Sequence, residues 1–159
     1  MSVWRPRTTS ILIGGMVVVV IAAAVAFIIT NFQPKTDLRL GSGAFSARVA
    51  ADEASRTLGL SNIASLKPND ALIMVYDTVD NWGITMRDMK VSIDILWLSD
   101  SKDVLYIVKN ADPATSEDKI FKPQVNARYV IELSAGAIQQ NNIKVGEKAI
   151  FDIPGRDDS

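Results

Sequence analysis

The stretch from 82 to 97 holds the residues best suited to chemistry: Trp82, Met86, Arg87, Asp88, Asp94 and Trp97, with Arg128 further along the chain. Asp94 stands between Ile93 and Ile95, and its own side of an extended segment continues with Leu96 and Leu98. A carboxylate there belongs near a sheet rim or is buried with a partner, because an unpaired buried charge is too costly. Arg87 and Arg128 are the expected partners. Trp82, Met86, Met89 and Trp97 can fill a core or form the apolar wall of a pocket. Such a wall, with Arg87 and Asp94 beside it, suits a small polar ligand or a peptide terminus. Trp82, Met86, Arg87, Asp88, Asp94, Trp97 and Arg128 are therefore the candidate binding pocket.

Catalysis has few routes open. The chain has no Cys and no His, which removes the Cys nucleophile, the Ser-His-Asp triad, most zinc sites and covalent c-type haem. A glycosidase pair needs carboxyls about 5 to 9.5 Å apart. Asp88 and Asp94 are six residues apart, about 20 Å along a straight strand. Only a sharp bend would join them. Ser92 with Lys90 lacks the setting of a nucleophile elbow. Asp77 and Asp80 lack calcium-loop spacing and read as solvated loop acids, as Asp100 and Asp103 read as turn residues. No catalytic residue, metal ligand set or cofactor is assigned.

These residues need elements to hold them, and most of the elements read as strands. Phe45 to Val49 alternates as a half-buried strand does, and Gly41, Ser42 and Gly43 read as a joint or turn. Asp52 suits the N-cap of a short helix, with Gly59 beyond its end. Residues 71–76 form a compact apolar run. Two more, 93–98 and 104–108, flank a polar hairpin loop. Residues 113–123 read as a proline-bounded polar loop. In 128–133, Tyr129, Ile131 and Leu133 take one face, and Arg128, Val130 and Glu132 the other. A second short helix fits 134–142, and Gly146 turns the chain into a last strand over 148–153. The expected fold is mostly β (α+β): a small curled antiparallel sheet or barrel with two short helices.

Ahead of it, residues 11–29 are an unbroken apolar and small-residue run, and no charge falls between Arg7 and Lys35. About 20 such residues cover a bilayer core of roughly 30 Å as a helix. The expectation is one transmembrane helix over 10–32, in contact with lipid. Arg5 and Arg7 set a cytoplasmic N-terminus over 1–9, and no small-x-small cleavage site closes the run. The remaining divisions are a linker over 33–44, a β-rich domain over 45–153 outside a single-pass cell membrane, and a loose tail over 154–159. Removing Arg5 and Arg7 from the 17 basic residues leaves 15 against 18 acids, a net charge of −3. That balance lacks the basic footprint of nucleic-acid binding.

Five ordered pieces resemble domain-of-unknown-function family 192, also called uncharacterised protein family 0127. Its R-x-x-G-L-M is matched by Arg56, Gly59 and Leu60, with Ser61 where Met is usual. Its G-M-L-F-V-F is matched by 71–76, and its F-W-M-K-N-T-x-I-P-L-D-I-x-F-I-D by 84–98. Its A-R-Y-V-L-E-x-x-A-G is matched by Ala127 to Glu132 with Ala135 and Gly136, and its I-x-x-G-D by Ile143, Gly146 and Glu147. The match covers about 46–153. Within it Thr85 replaces Trp, Arg87 replaces Lys, Asp88 replaces Asn and Ser92 replaces Pro. The resemblance implies a compact, mostly β fold and brings no activity with it. The expected role is a non-catalytic, extracytoplasmic module binding a small ligand or an envelope protein. The alternative is a carboxylate-dependent hydrolase of envelope glycans or polymers using Asp88 or Asp94.

Overall fold

The computed structural model describes residues 16–18, 20–21, 33–116 and 119–156. The chain divides into two units, Met1–Gln33 and Pro34–Ser159. Of the expected transmembrane span, only Met16, Val17, Val18, Val20 and Ile21 are described. They are helical. Among the described residues no helix is long and apolar enough to cross a membrane. The expectation of a transmembrane helix is thus unsupported, and the rest of 10–32 lies outside the described residues, as do 1–9.

The second unit is built on a six-stranded sheet. Its strands are β1 (Lys35–Leu40), β2 (Gly43–Ala50), β3 (Asp70–Asp80), β5 (Ile93–Leu98), β6 (Val104–Ala111) and β8 (Ala127–Ser134), in the order β1-β2-β3-β8-β5-β6. A small second sheet pairs β4 (Ile84–Thr85) with β7 (Ile120–Phe121). The helices are α1 (Glu53–Leu58), α2 (Pro113–Ser116) and α3 (Ala137–Gln140).

The antiparallel barrel is corrected on two points. First, β2 and β3 run parallel, because residues 51–69 cross over with α1 inside them, as a parallel connection requires. Second, β1 and β6 end the strand order without pairing with each other, so the sheet is mixed and open. Among the described residues of this unit there are three short helices rather than two, the extra one lying in the expected polar loop of 113–123. Residues 35–40, expected within a linker, are edge strand β1: Leu38 and Leu40 are buried and Asp37 and Arg39 exposed. Residues 148–153 are no strand; they touch the sheet through the single bridges Arg39–Ile150 and Asp103–Lys148. Residues 154–156 carry a turn in which Arg156 meets Asp77 at 3.2 Å.

Both faces of the sheet are covered, which is why β5 is buried at every position; strands covered on two sides read as unbroken apolar runs. On one face Ile73, Leu96, Leu98, Tyr129 and Ile131 pack beneath α3 and the returning segment of Ala149, Phe151 and Ile153. On the other, Leu72, Met74, Ile95, Trp97 and Val130 pack beneath Leu60, Ile84, Met86 and Phe121. That second cover is incomplete, and the gap is the site.

Candidate functional site

The gap is a cavity of about 720 Å³ bounded by α1 and the loop after it, the end of β3, residues 82–89, and Glu132 of β8. Its first wall starts with a local choice at α1. Asp52 accepts from the Ser55 N–H at 2.9 Å and the Ser55 hydroxyl lies 3.3 Å from the Asp52 N–H, a reciprocal cap. Gly59 follows the helix at φ +51, where a Cβ would stand 3.3 Å from Met74 Cε. A glycine lets the chain turn there and keeps that corner clear.

Arg56, on the same short helix, is engaged in structure. Its Nη1 donates to the carbonyls of Ala51 at 2.6 Å and Val75 at 2.8 Å, and its guanidinium lies 5.0 Å from the Tyr76 ring centre. Tyr76 in turn stacks on Trp82, with ring centres 4.0 Å apart and planes within 9°. Trp82 is fixed at both ends: its indole N–H donates to Ala127 O at 3.0 Å, and its carbonyl accepts from the Trp97 indole at 2.8 Å. Burial raises the Tyr76 hydroxyl pKa above its ordinary value, against the opposing pull of Arg56.

The rim is a turn in which the Met89 N–H donates to Met86 O at 3.1 Å, with Asp88 at φ +59. Asp and Asn tolerate this left-handed conformation, which rationalises an Asp where the family pattern has Asn. The Asp88 carbonyl accepts from the Asn62 N–H at 2.9 Å, tying the rim to the loop after α1. Arg87 and Asp88 are exposed, and Thr85 lines the cavity where the pattern has Trp.

At the base lies Glu132. It is 3 % exposed, and its Oε2 has no hydrogen-bond partner. Burial pushes its carboxyl up to about 7, only partly opposed by Arg48. Arg48 and Glu132 flank Leu72 in the registers of β2, β3 and β8, two strand spacings or about 10 Å apart. Arg48 lines a separate cavity of about 160 Å³.

Of the seven residues expected to form a pocket, Trp82, Arg87 and Asp88 line this cavity. Met86 and Trp97 are fully buried in the core beside it. Asp94 is also fully buried, but on the opposite face. Its oxygens accept from the Asn110 N–H at 2.8 Å and the Ile138 N–H at 2.9 Å, not from Arg87 or Arg128. Two backbone donors hold it, so the Asp88–Asp94 pair that a hydrolase would need does not meet in the cavity. Arg128 donates to Asp77 O and approaches Asp100 Oδ1 at 3.5 Å. Glu132, Arg56, Tyr76 and Gly59 were missed as site residues. Their signal lay in the motif pieces: Arg56–Gly59–Leu60, 71–76, 84–89 and the piece containing Glu132 all reach the cavity.

An open mixed sheet with three short helices and one half-covered face defines a small β-rich pocket domain. The chain belongs to the DUF192 family, described as "Uncharacterized ACR", whose profile matches residues 36–151. Two crystal structures share the fold. One is from Sinorhizobium meliloti 1021 and is described as a candidate transcription regulator. It has a TM-score of 0.71 at 19 % identity, over 75 % of this chain and 95 % of that one. The other, a protein of unknown function from Novosphingobium aromaticivorans DSM 12444, has a TM-score of 0.67 at 21 % identity, over 74 % and 84 %. A search of curated proteins returned no significant match.

Proposed function

We propose that this domain is a non-catalytic binding module for a small ligand, held between Glu132 and the Tyr76–Trp82 wall. One observation carries the reading: a buried carboxyl oxygen without a partner, at the base of an open cavity of about 720 Å³. Buried polar atoms are nearly always paired, and one that is not calls for an explanation. A ligand group that completes its hydrogen bonding supplies one. The cavity size falls within the range of small-molecule sites, and polar and apolar residues share its lining.

The test is a small-metabolite screen by ligand-observed NMR on the full chain, repeated on Glu132→Ala and Tyr76→Ala. Hits that lose their signal on both variants support the reading. Hits that bind all three proteins alike place the ligand elsewhere and refute it.

A further inference from the structure

Resting on that reading, we propose a ligand class: a small organic cation, with its ammonium group at Glu132 and an apolar or flat body along the Tyr76–Trp82 stack. A carboxylate in a low-dielectric setting is stabilised most by an opposite charge with hydrogen bonds to give. Among the described residues none supplies one at Oε2. Of the two arginines on the cavity wall, Arg56 is spent on two carbonyls and the Tyr76 ring, and Arg87 is exposed on the rim turn. Glu53, Asp88 and Glu132 line the cavity beside them, together with Asp77, which Arg156 meets at 3.2 Å. Aromatic faces attract cations through their quadrupole, and the guanidinium already over Tyr76 is an instance of it. An anion would meet the Glu132 carboxylate, with the Arg56 donors already engaged and Arg87 out on the rim.

The charged and titratable groups around Glu132 are Arg48 from β2, Tyr76 and Asp77 from β3, Glu53 and Arg56 from α1, and Arg87 and Asp88 from the rim. Burial pushes the Glu132 carboxyl up to about 7. An amine that stays protonated throughout should therefore bind more tightly as the pH rises from 6 to 8 and the carboxyl loses its proton.

The experiment titrates the full chain with benzylamine, benzyl alcohol and benzoate, following the Trp82 indole resonance by NMR. Benzylamine is expected to bind at least tenfold more tightly than benzyl alcohol, to tighten severalfold from pH 6 to pH 8, and to lose about tenfold on Glu132→Gln. The pH series on the unaltered chain decides the matter even if that variant folds poorly. Tighter binding of benzyl alcohol or benzoate would overturn the cation assignment while leaving a binding pocket. No response to any of the three at millimolar concentration would overturn the pocket reading as well.

Discussion

Asp94 and Glu132 lie on neighbouring strands, one step out of register, and point to opposite faces of the sheet. Both are buried, at 0 % and 3 % exposure. On the closed face, the Asp94 carboxylate takes two backbone N–H groups and staples β6 and α3 to β5. On the open face, Glu132 has an oxygen with no partner and a carboxyl that burial has driven upward. The same chemical group is thus fully paired in one place and left with an unpaired oxygen in the other. Partner count separates them, whereas burial does not.

The strongest way to break this comparison is Asp94→Ala. Losing two charge-assisted bonds and orphaning two N–H groups is expected to cost about 4 kcal/mol. Urea unfolding would read it as a lower midpoint at unchanged m-value. A loss below about 1 kcal/mol would mean that Asp94 staples nothing.

Glu132 should behave in the opposite sense. Its pKa is about 7 in the fold against an ordinary 4.5. Between those values the folded chain holds the proton that the unfolded chain releases. Stability is then full below about 4.5, falls as the pH rises, and levels off above about 7. The gap is worth about 3 kcal/mol. Glu132→Gln removes the penalty, so thermal unfolding should show a stabilised variant at pH 8 whose stability no longer falls across that window. A variant with the parent's pH slope would assign the slope to another group.

Smaller changes sharpen the contrast. Trp82→Phe keeps an aromatic beside Tyr76 but leaves Ala127 O without its indole donor, at about 1 kcal/mol by chemical denaturation. Asp88→Gly relieves the left-handed φ on the rim and is expected to stabilise by under about 1 kcal/mol. A clear loss there would show that the Asp88 side chain supports the rim.

Much of the fold was legible because apolar runs announce buried strands. Residues 71–76, 93–98 and 128–133 lie in β3, β5 and β8, and Asp52 and Gly59 bracket α1 as their chemistry suggests. β1 was hidden because only Leu38 and Leu40 carry its pattern. Ala149, Phe151 and Ile153 misled in the reverse direction, since they alternate inward without joining a ladder. The parallel β2–β3 pairing depends on where the crossover docks, which local periodicity does not encode.

The site was half legible for a related reason. Asp94 drew notice as an acid inside an apolar run. Glu132 did not, because it alternates with apolar residues on the same strand face as Arg128, and a charge in that pattern reads as solvent-facing. Only the cover of Leu60, Ile84 and Met86 turns that face into an interior.

The strand order bears on how a copy of this chain is made. β8 is the last strand of the large sheet to be synthesised, yet it lies between β3 and β5 and joins two halves that otherwise share no ladder. Before residue 134 leaves the ribosome, each half offers an open edge of the kind that recruits stray strands. Premature termination upstream of Ala127 should therefore yield aggregates or proteolytic fragments rather than a weakened domain, and folding of the sheet during translation must wait for β8.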